Sequence, residues 1–168
     1  MTYLLDTMVV SFFYDTMRDE LARAAGRCKM ALVGEVYNEL KTPKKPGFKE
    51  WFGKANIALL DITVDSDAFI TLNKLLNPKL KSNLGERASI AWMANNPGFV
   101  LVTHDKNAMW IASREICCAR NGIMGLPVFL RRLFDAEKLS NPSVLDVIIS
   151  CLDETHKPTW WDTWRSRI

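Results

Sequence analysis

Apolar residues in this chain fall into two kinds of run. Some are short and unbroken, with no polar face: Thr2 to Asp6 around Tyr3-Leu4-Leu5, Cys28 to Val33, Ile57 to Ile62, and Phe99 to Thr103. Runs of that length bounded by polar residues suit strands buried on both sides. Others recur at helical spacing. Met17, Leu21 and Ala24-Ala25 share a face over about 16–25, opposite Arg18, Asp19, Glu20 and Arg23, and Gly26 ends that helix. Ala68, Phe69, Leu72, Leu75 and Leu76 do the same over 67–76, behind the cap Ser66 and before the stop Asn77-Pro78. Ala88, Ile90, Ala91 and Trp92 mark a helix over 85–95.

The remaining elements follow from capping and turn residues. Thr7 is placed to cap a helix running to about Tyr14, Glu35 to Lys41 opens another after Gly34, and Phe48 to Ala55 forms a short one. Beyond Asp105 the pattern gives a helix to about Arg120, a brief strand or extended piece at 123–126, helices near 128–138 and 142–153, and an amphipathic tail from Thr159 to Arg165. Strands alternating with helices predict an α/β fold: a three-layer sandwich with a central parallel sheet. A chain of 168 residues suits one domain, and neither an internal repeat nor a low-complexity tract divides it.

Composition narrows the class. A chain 48% hydrophobic and 24% charged is globular, and no apolar run approaches the ~18 residues that span a bilayer. The first apolar stretch has no basic leader and carries Asp6 within it, so the expected location is cytoplasmic. Cysteines at 28, 117, 118 and 151 lack the spacing of a zinc site, and His104 and His156 lie far from any pair of them; reduced thiols are the expectation. A net charge of +3 permits nucleic-acid binding without requiring it.

The candidate chemistry lies at the strand ends. Asp6 closes the first apolar run and Asp105 follows the fourth. In open parallel sheets ligands collect beyond the carboxyl ends of the strands, so acids there face a crevice. Together with Glu39 and Glu86, on helices between them, they make an oxygen-rich set suited to a hard divalent cation. Each acid also has an ordinary reading. Asp6 and Asp105 suit helix caps, Glu39 an exposed helix charge, and Glu86 the first turn of a helix, where an acid meets the dipole.

Taken together, Tyr-Leu-Leu-Asp-Thr at 3–7, Val-Tyr-Asn-Glu-Leu at 36–40, Leu-Gly-Glu-Arg-Ala-Ser-Ile-Ala at 84–91 and Val-Leu-Val-Thr-His-Asp at 100–105 resemble the PIN domain. This is a family of metal-dependent nucleases related to flap endonucleases, and the order and spacing look like those of bacterial VapC-type toxins. The resemblance covers about residues 2–120 and leaves 121–168 as a helical C-terminal extension of a single PIN-like domain. It implies a metal-dependent endoribonuclease of a toxin-antitoxin system, with Asp6, Glu39, Glu86 and Asp105 as the acidic cluster, Thr103 as a supporting hydroxyl, and Mg²⁺ or Mn²⁺ as cofactor. Asp6 and Asp105 would be direct ligands, with Glu39 and Glu86 binding through water or one of them orienting the attacking water. RNA, a small antitoxin and a second copy of the chain are the implied partners, with the Trp-rich tail (Trp160, Trp161, Trp164) as an interface. The chain departs from the pattern at Met8, where many members carry Asn or Ser, and at Lys106-Asn107, where relatives carry a further acid; one metal or two stays open. The alternative is a catalytically weak PIN-like fold acting as an RNA-binding or assembly module. A phosphohydrolase of the haloacid dehalogenase type needs a second Asp at position 8, where Met8 stands.

Lys41, Lys44, Lys45, Lys49 and Lys54 cluster with Phe48, Trp51 and Phe52. Two readings stay open: a solvated loop clamped by aromatics, or an RNA-binding rim in which Lys44, Lys45 and Lys49 track phosphates and Trp51 stacks a base. Lys79, Lys81 and Arg87 would extend that rim.

Overall fold

The computed structural model describes residues 1–76, 83–115 and 122–136, with Thr163 and Ser166 besides. The elements in chain order are β1 (Thr2–Leu5), α1 (Thr7–Ala25), β2 (Met30–Val33), α2 (Gly34–Leu40), α3 (Phe48–Phe52), β3 (Ala58–Leu60), α4 (Asp67–Leu75), α5 (Leu84–Asn95), β4 (Phe99–Thr103), α6 (Lys106–Glu115), β5 (Ile123–Gly125) and α7 (Leu126–Asp135). The expected helix at 142–153, the end of the helix toward Arg120, the Trp-rich tail and Lys79 and Lys81 lie outside the described residues.

All five strands are parallel, in the order β3-β2-β1-β4-β5, and helices flank the sheet. Leu4, Leu5, Ala31, Leu32, Leu101 and Val102 are buried consecutively along β1, β2 and β4. Adjacent residues point to opposite faces, so burial of both means that both faces are covered. This is why those strands read as unbroken apolar runs. β3 is an edge strand and differs, leaving Ala58 and Leu59 exposed.

The chain runs outward from β1 through β2 to β3, then returns across the sheet to β4 on the other side of β1. The order therefore reverses between β1 and β4, which opens a crevice at their carboxyl ends. Their register pairs Leu5 with Val102, so Asp6 and the turn after Thr103 emerge side by side.

The helices differ from the sequence expectation at several boundaries. Asp6, not Thr7, caps α1: its backbone is extended (φ −82°, ψ 171°) and its side chain accepts the amide of Val9. The two helices expected before residue 26 are one helix with a break at Met17 (φ −159°, ψ 49°). Just before it, the Thr16 hydroxyl donates back to the Phe12 carbonyl at 2.6 Å, a bond that bends helices. α7 starts at Leu126 with Pro127 in its first turn, where a missing N–H costs nothing. The brief strand or extended piece expected around 123–126 is β5, which pairs with β4 at the edge of the sheet.

Candidate functional site

Asp6 sits where β1 passes into α1. Its N–H donates to the Val102 carbonyl at 3.1 Å, and its Oδ1 accepts the Val9 N–H at 2.8 Å. It is 1% exposed, and Oδ2 is buried without a hydrogen-bond partner. Asp105 plays the matching part where β4 passes into α6. Its Oδ1 accepts the N–H groups of Asn107 at 2.6 Å and Ala108 at 3.0 Å. The fully buried Thr103 accepts the Asp105 N–H at 3.1 Å. Both acids are thus helix caps, and each keeps one carboxylate oxygen that accepts no hydrogen bond among the described residues.

Glu86 enters from the N-terminus of α5. Asn83 and Glu86 form a reciprocal capping box: Asn83 Oδ1 accepts the Glu86 N–H at 2.8 Å, and Glu86 Oε2 accepts the Asn83 N–H at 3.1 Å. Glu86 is 6% exposed, and its Oε1 accepts no hydrogen bond among the described residues. Glu39 lies on the last turn of α2 with both oxygens engaged. The Thr7 hydroxyl donates to Oε2 and the Gly85 N–H to Oε1 at 2.7 Å.

The electrostatics join these groups. Burial pushes the Asp6 carboxyl up to about 6; the Thr103 hydroxyl and the Val9 amide oppose the rise, and the charge of Asp105 adds to it. That opposition does not amount to a hydrogen bond of proper geometry on Oδ2. Burial pushes Glu86 up to about 7; the bond to Asn83 opposes this, and the charges of Asp105, Asp6 and Glu39 add to it in that order. Glu86 therefore feels the charge of all three other acids proposed from the sequence, at one edge of the sheet. The four are not drawn into a ready coordination shell: among the described residues, no group of three or more His, Cys, Asp or Glu side chains is arranged to hold a metal ion.

Sequence reasoning passed over three residues that shape this edge: Asn83 as cap, Thr7 as donor to Glu39, and Gly85. A Cβ on Gly85 would lie 2.7 Å from Glu39 Oε2, 2.9 Å from Thr7 Oγ1 and 2.9 Å from Val36 Cγ2. A glycine in the first turn of a helix, in Leu-Gly-Glu, was the available signal, since it weakens a helix unless something approaches closely.

The basic loop lies between α2 and α3. Lys45 pairs with Asp15 and sits 5.6 Å over the Tyr14 ring. Trp51 donates its indole N–H to the Arg18 carbonyl at 3.2 Å and packs edge-on against Tyr14 with ring centroids 5.3 Å apart. Lys44 and Lys49 are exposed and make no ion pair among the described residues. Arg87 on α5 is partly buried.

No family model matches the chain, and neither the curated proteins nor the solved structures contain a match to it. No described helix is long and apolar enough to cross a membrane.

Proposed function

We propose that this protein is a divalent-metal-dependent nuclease hydrolysing RNA phosphodiester bonds, as its resemblance to the PIN domain implies. The observation that carries the reading is Asp6 Oδ2: a buried carboxylate oxygen with no partner, at the point where the strand order reverses. A buried acceptor left unpaired is costly, and a cation is the partner that would also relieve the repulsion among the neighbouring acids. Asp6 and Asp105, each with an uncommitted oxygen, are the residues that would hold Mg²⁺ or Mn²⁺, with Glu86 acting through water. Such an ion, when bound, supplies Lewis-acid polarisation of the phosphate and acidifies the attacking water.

The chain's own groups do the rest. Glu86, at the same edge with one oxygen uncommitted, is placed to orient or deprotonate the attacking water. Thr103 and the first-turn amides of α6 hold Asp105 in place. The exposed Lys44 and Lys49 are suited to backbone phosphates. A toxin-antitoxin role, a small antitoxin partner and a homodimer belong to the same reading and rest on the resemblance alone.

The test is cleavage of structured and unstructured RNAs with Mg²⁺, Mn²⁺ or chelator, by wild type and by Asp6→Asn and Asp105→Asn. Cleavage that needs the cation and disappears in both variants supports the reading. RNA bound but uncut under every condition would replace it with the binding-module alternative.

A further inference from the structure

Of the four acids at the sheet edge, Glu39 alone has both carboxylate oxygens taken, one by the Thr7 hydroxyl and one by the Gly85 amide. Its two donors come from the first turns of α1 and α5, and Glu39 itself stands on the last turn of α2. Three helices therefore meet on one side chain. Two of them lead directly into site acids: α1 starts after Asp6, and α5 carries Glu86 next to Gly85. The space around the carboxylate is filled as well, since Gly85 approaches so closely that even a methyl group would strike Glu39 Oε2, Thr7 Oγ1 and Val36 Cγ2.

We infer that Glu39 is a positioning residue: with Thr7 and Gly85 it forms a clasp that fixes the starts of α1 and α5 relative to each other, and it is not a metal ligand. A carboxylate that left this clasp for a cation would abandon a buried amide and a hydroxyl, at a cost for each broken bond. Asp6, Glu86 and Asp105 each keep a free oxygen and face no such exchange. Gly85 follows from the same geometry. It is glycine because the clasp leaves no room for Cβ, while its amide remains available to donate. Groups that orient ligands without touching the ion commonly alter metal affinity by about 10–100-fold, so a clasp and a ligand must be told apart by chemistry and not by the size of one deletion.

Glu39→Gln makes that distinction. The Gln carbonyl accepts the Gly85 amide and its NH₂ donates to Thr7 Oγ1, so the clasp survives while the anionic ligand is gone. Two measurements are needed: melting of the metal-free protein in chelator, and Mn²⁺ affinity of the full chain by calorimetry. The inference rests on the metal reading only for its second arm. In the first arm, Glu39→Ala and Thr7→Val melt a few degrees below wild type, while Glu39→Gln and Thr7→Ser melt with it. Four variants melting alike would overturn the clasp whether or not metal binds. In the second arm, Glu39→Gln keeps Mn²⁺ affinity within about tenfold and binds more tightly than Glu39→Ala. Glu39→Gln losing as much affinity as Glu39→Ala, while melting like wild type, would make Glu39 a ligand and overturn the inference. A wild type that binds no Mn²⁺ sinks the nuclease reading instead, and the melting arm then decides the clasp alone.

Discussion

The hydroxyl of Thr103 accepts the backbone N–H of Asp105 at 3.1 Å, so the last residue of β4 fixes the turn that presents the acid. Thr103 is fully buried and also opposes the rise in the Asp6 carboxyl. Thr103→Val preserves the shape and removes the acceptor. It should destabilise the protein by about 1–3 kcal/mol, the usual cost of a buried amide left unpaired. The Asp6 carboxyl should titrate above its wild-type value of about 6. Melting curves and a carboxyl NMR titration check both; an unmoved Asp6 titration would refute the coupling.

Acid stability should run opposite to the usual direction. Asp6 and Glu86 have native pKa values of about 6 and 7, above their ordinary 3.8 and 4.5, so between those limits the native state binds more protons than the unfolded chain. Stability of the metal-free protein therefore falls as pH rises through this window, by on the order of 3 kcal/mol for each group, and the full penalty is present above it. Asn remains a good cap at position 6 and Gln keeps the capping box at position 86. Asp6→Asn and Glu86→Gln should each raise the melting temperature at pH 8 and leave it nearly unchanged at pH 4. Equal shifts at both pH values would show that burial is not the cause.

Divalent-ion affinity should show the mirror image. Ligation needs the ionised carboxylates, so Mn²⁺ should bind more tightly from pH 5 to pH 8 and release protons as it binds. Calorimetry in buffers of different ionisation enthalpy measures that release directly, and a pH-independent affinity would speak against Asp6 and Glu86 as the groups involved.

The basic loop divides into two parts. Lys44 and Lys49 are free to neutralise phosphates, and replacing both with Gln should flatten the salt dependence of RNA affinity by about 0.7 log units for each phosphate no longer neutralised. Lys45 is held by Asp15 and Tyr14, so Lys45→Gln should change the slope less than either. Trp51 is tied to the Arg18 carbonyl and to Tyr14, and Trp51→Ala should cost on the order of 3 kcal/mol of stability. Fluorescence anisotropy across a salt series and a denaturant titration read these effects. A stable Trp51→Ala that binds RNA weakly would instead assign its ring to base stacking.

Much of the architecture was legible because strands covered on both faces read as unbroken apolar runs, as at Leu4-Leu5 and Leu101-Val102. Ser66 showed itself as a cap, and its hydroxyl does accept the Phe69 amide. The acid at the end of β1 was legible as chemistry, but its capping role was assigned to its neighbour. Asp and Thr both cap well, and only the extended backbone at Asp6 decides between them. The partners of Lys45 and Trp51 were hidden for a different reason. Asp15 and Arg18 lie on α1, in a segment distant along the chain, and local patterns say nothing about such encounters. The same holds for the clasp on Glu39, which needs three helices already in place.

The position of β1 in the middle of the sheet also sets the order in which the molecule can come together. β1 can pair with β2 as soon as both are made, but its other neighbour, residues 99–103, follows only after two intervening strand–helix passages. Long-range pairings of this kind slow folding, because a large loop must close before any new interaction compensates. Asp6 and Asp105 thus become neighbours only when that last long loop closes. A nascent or truncated chain lacking β4 has no edge at which the acids can meet, so the candidate site would be silent until the central sheet is whole.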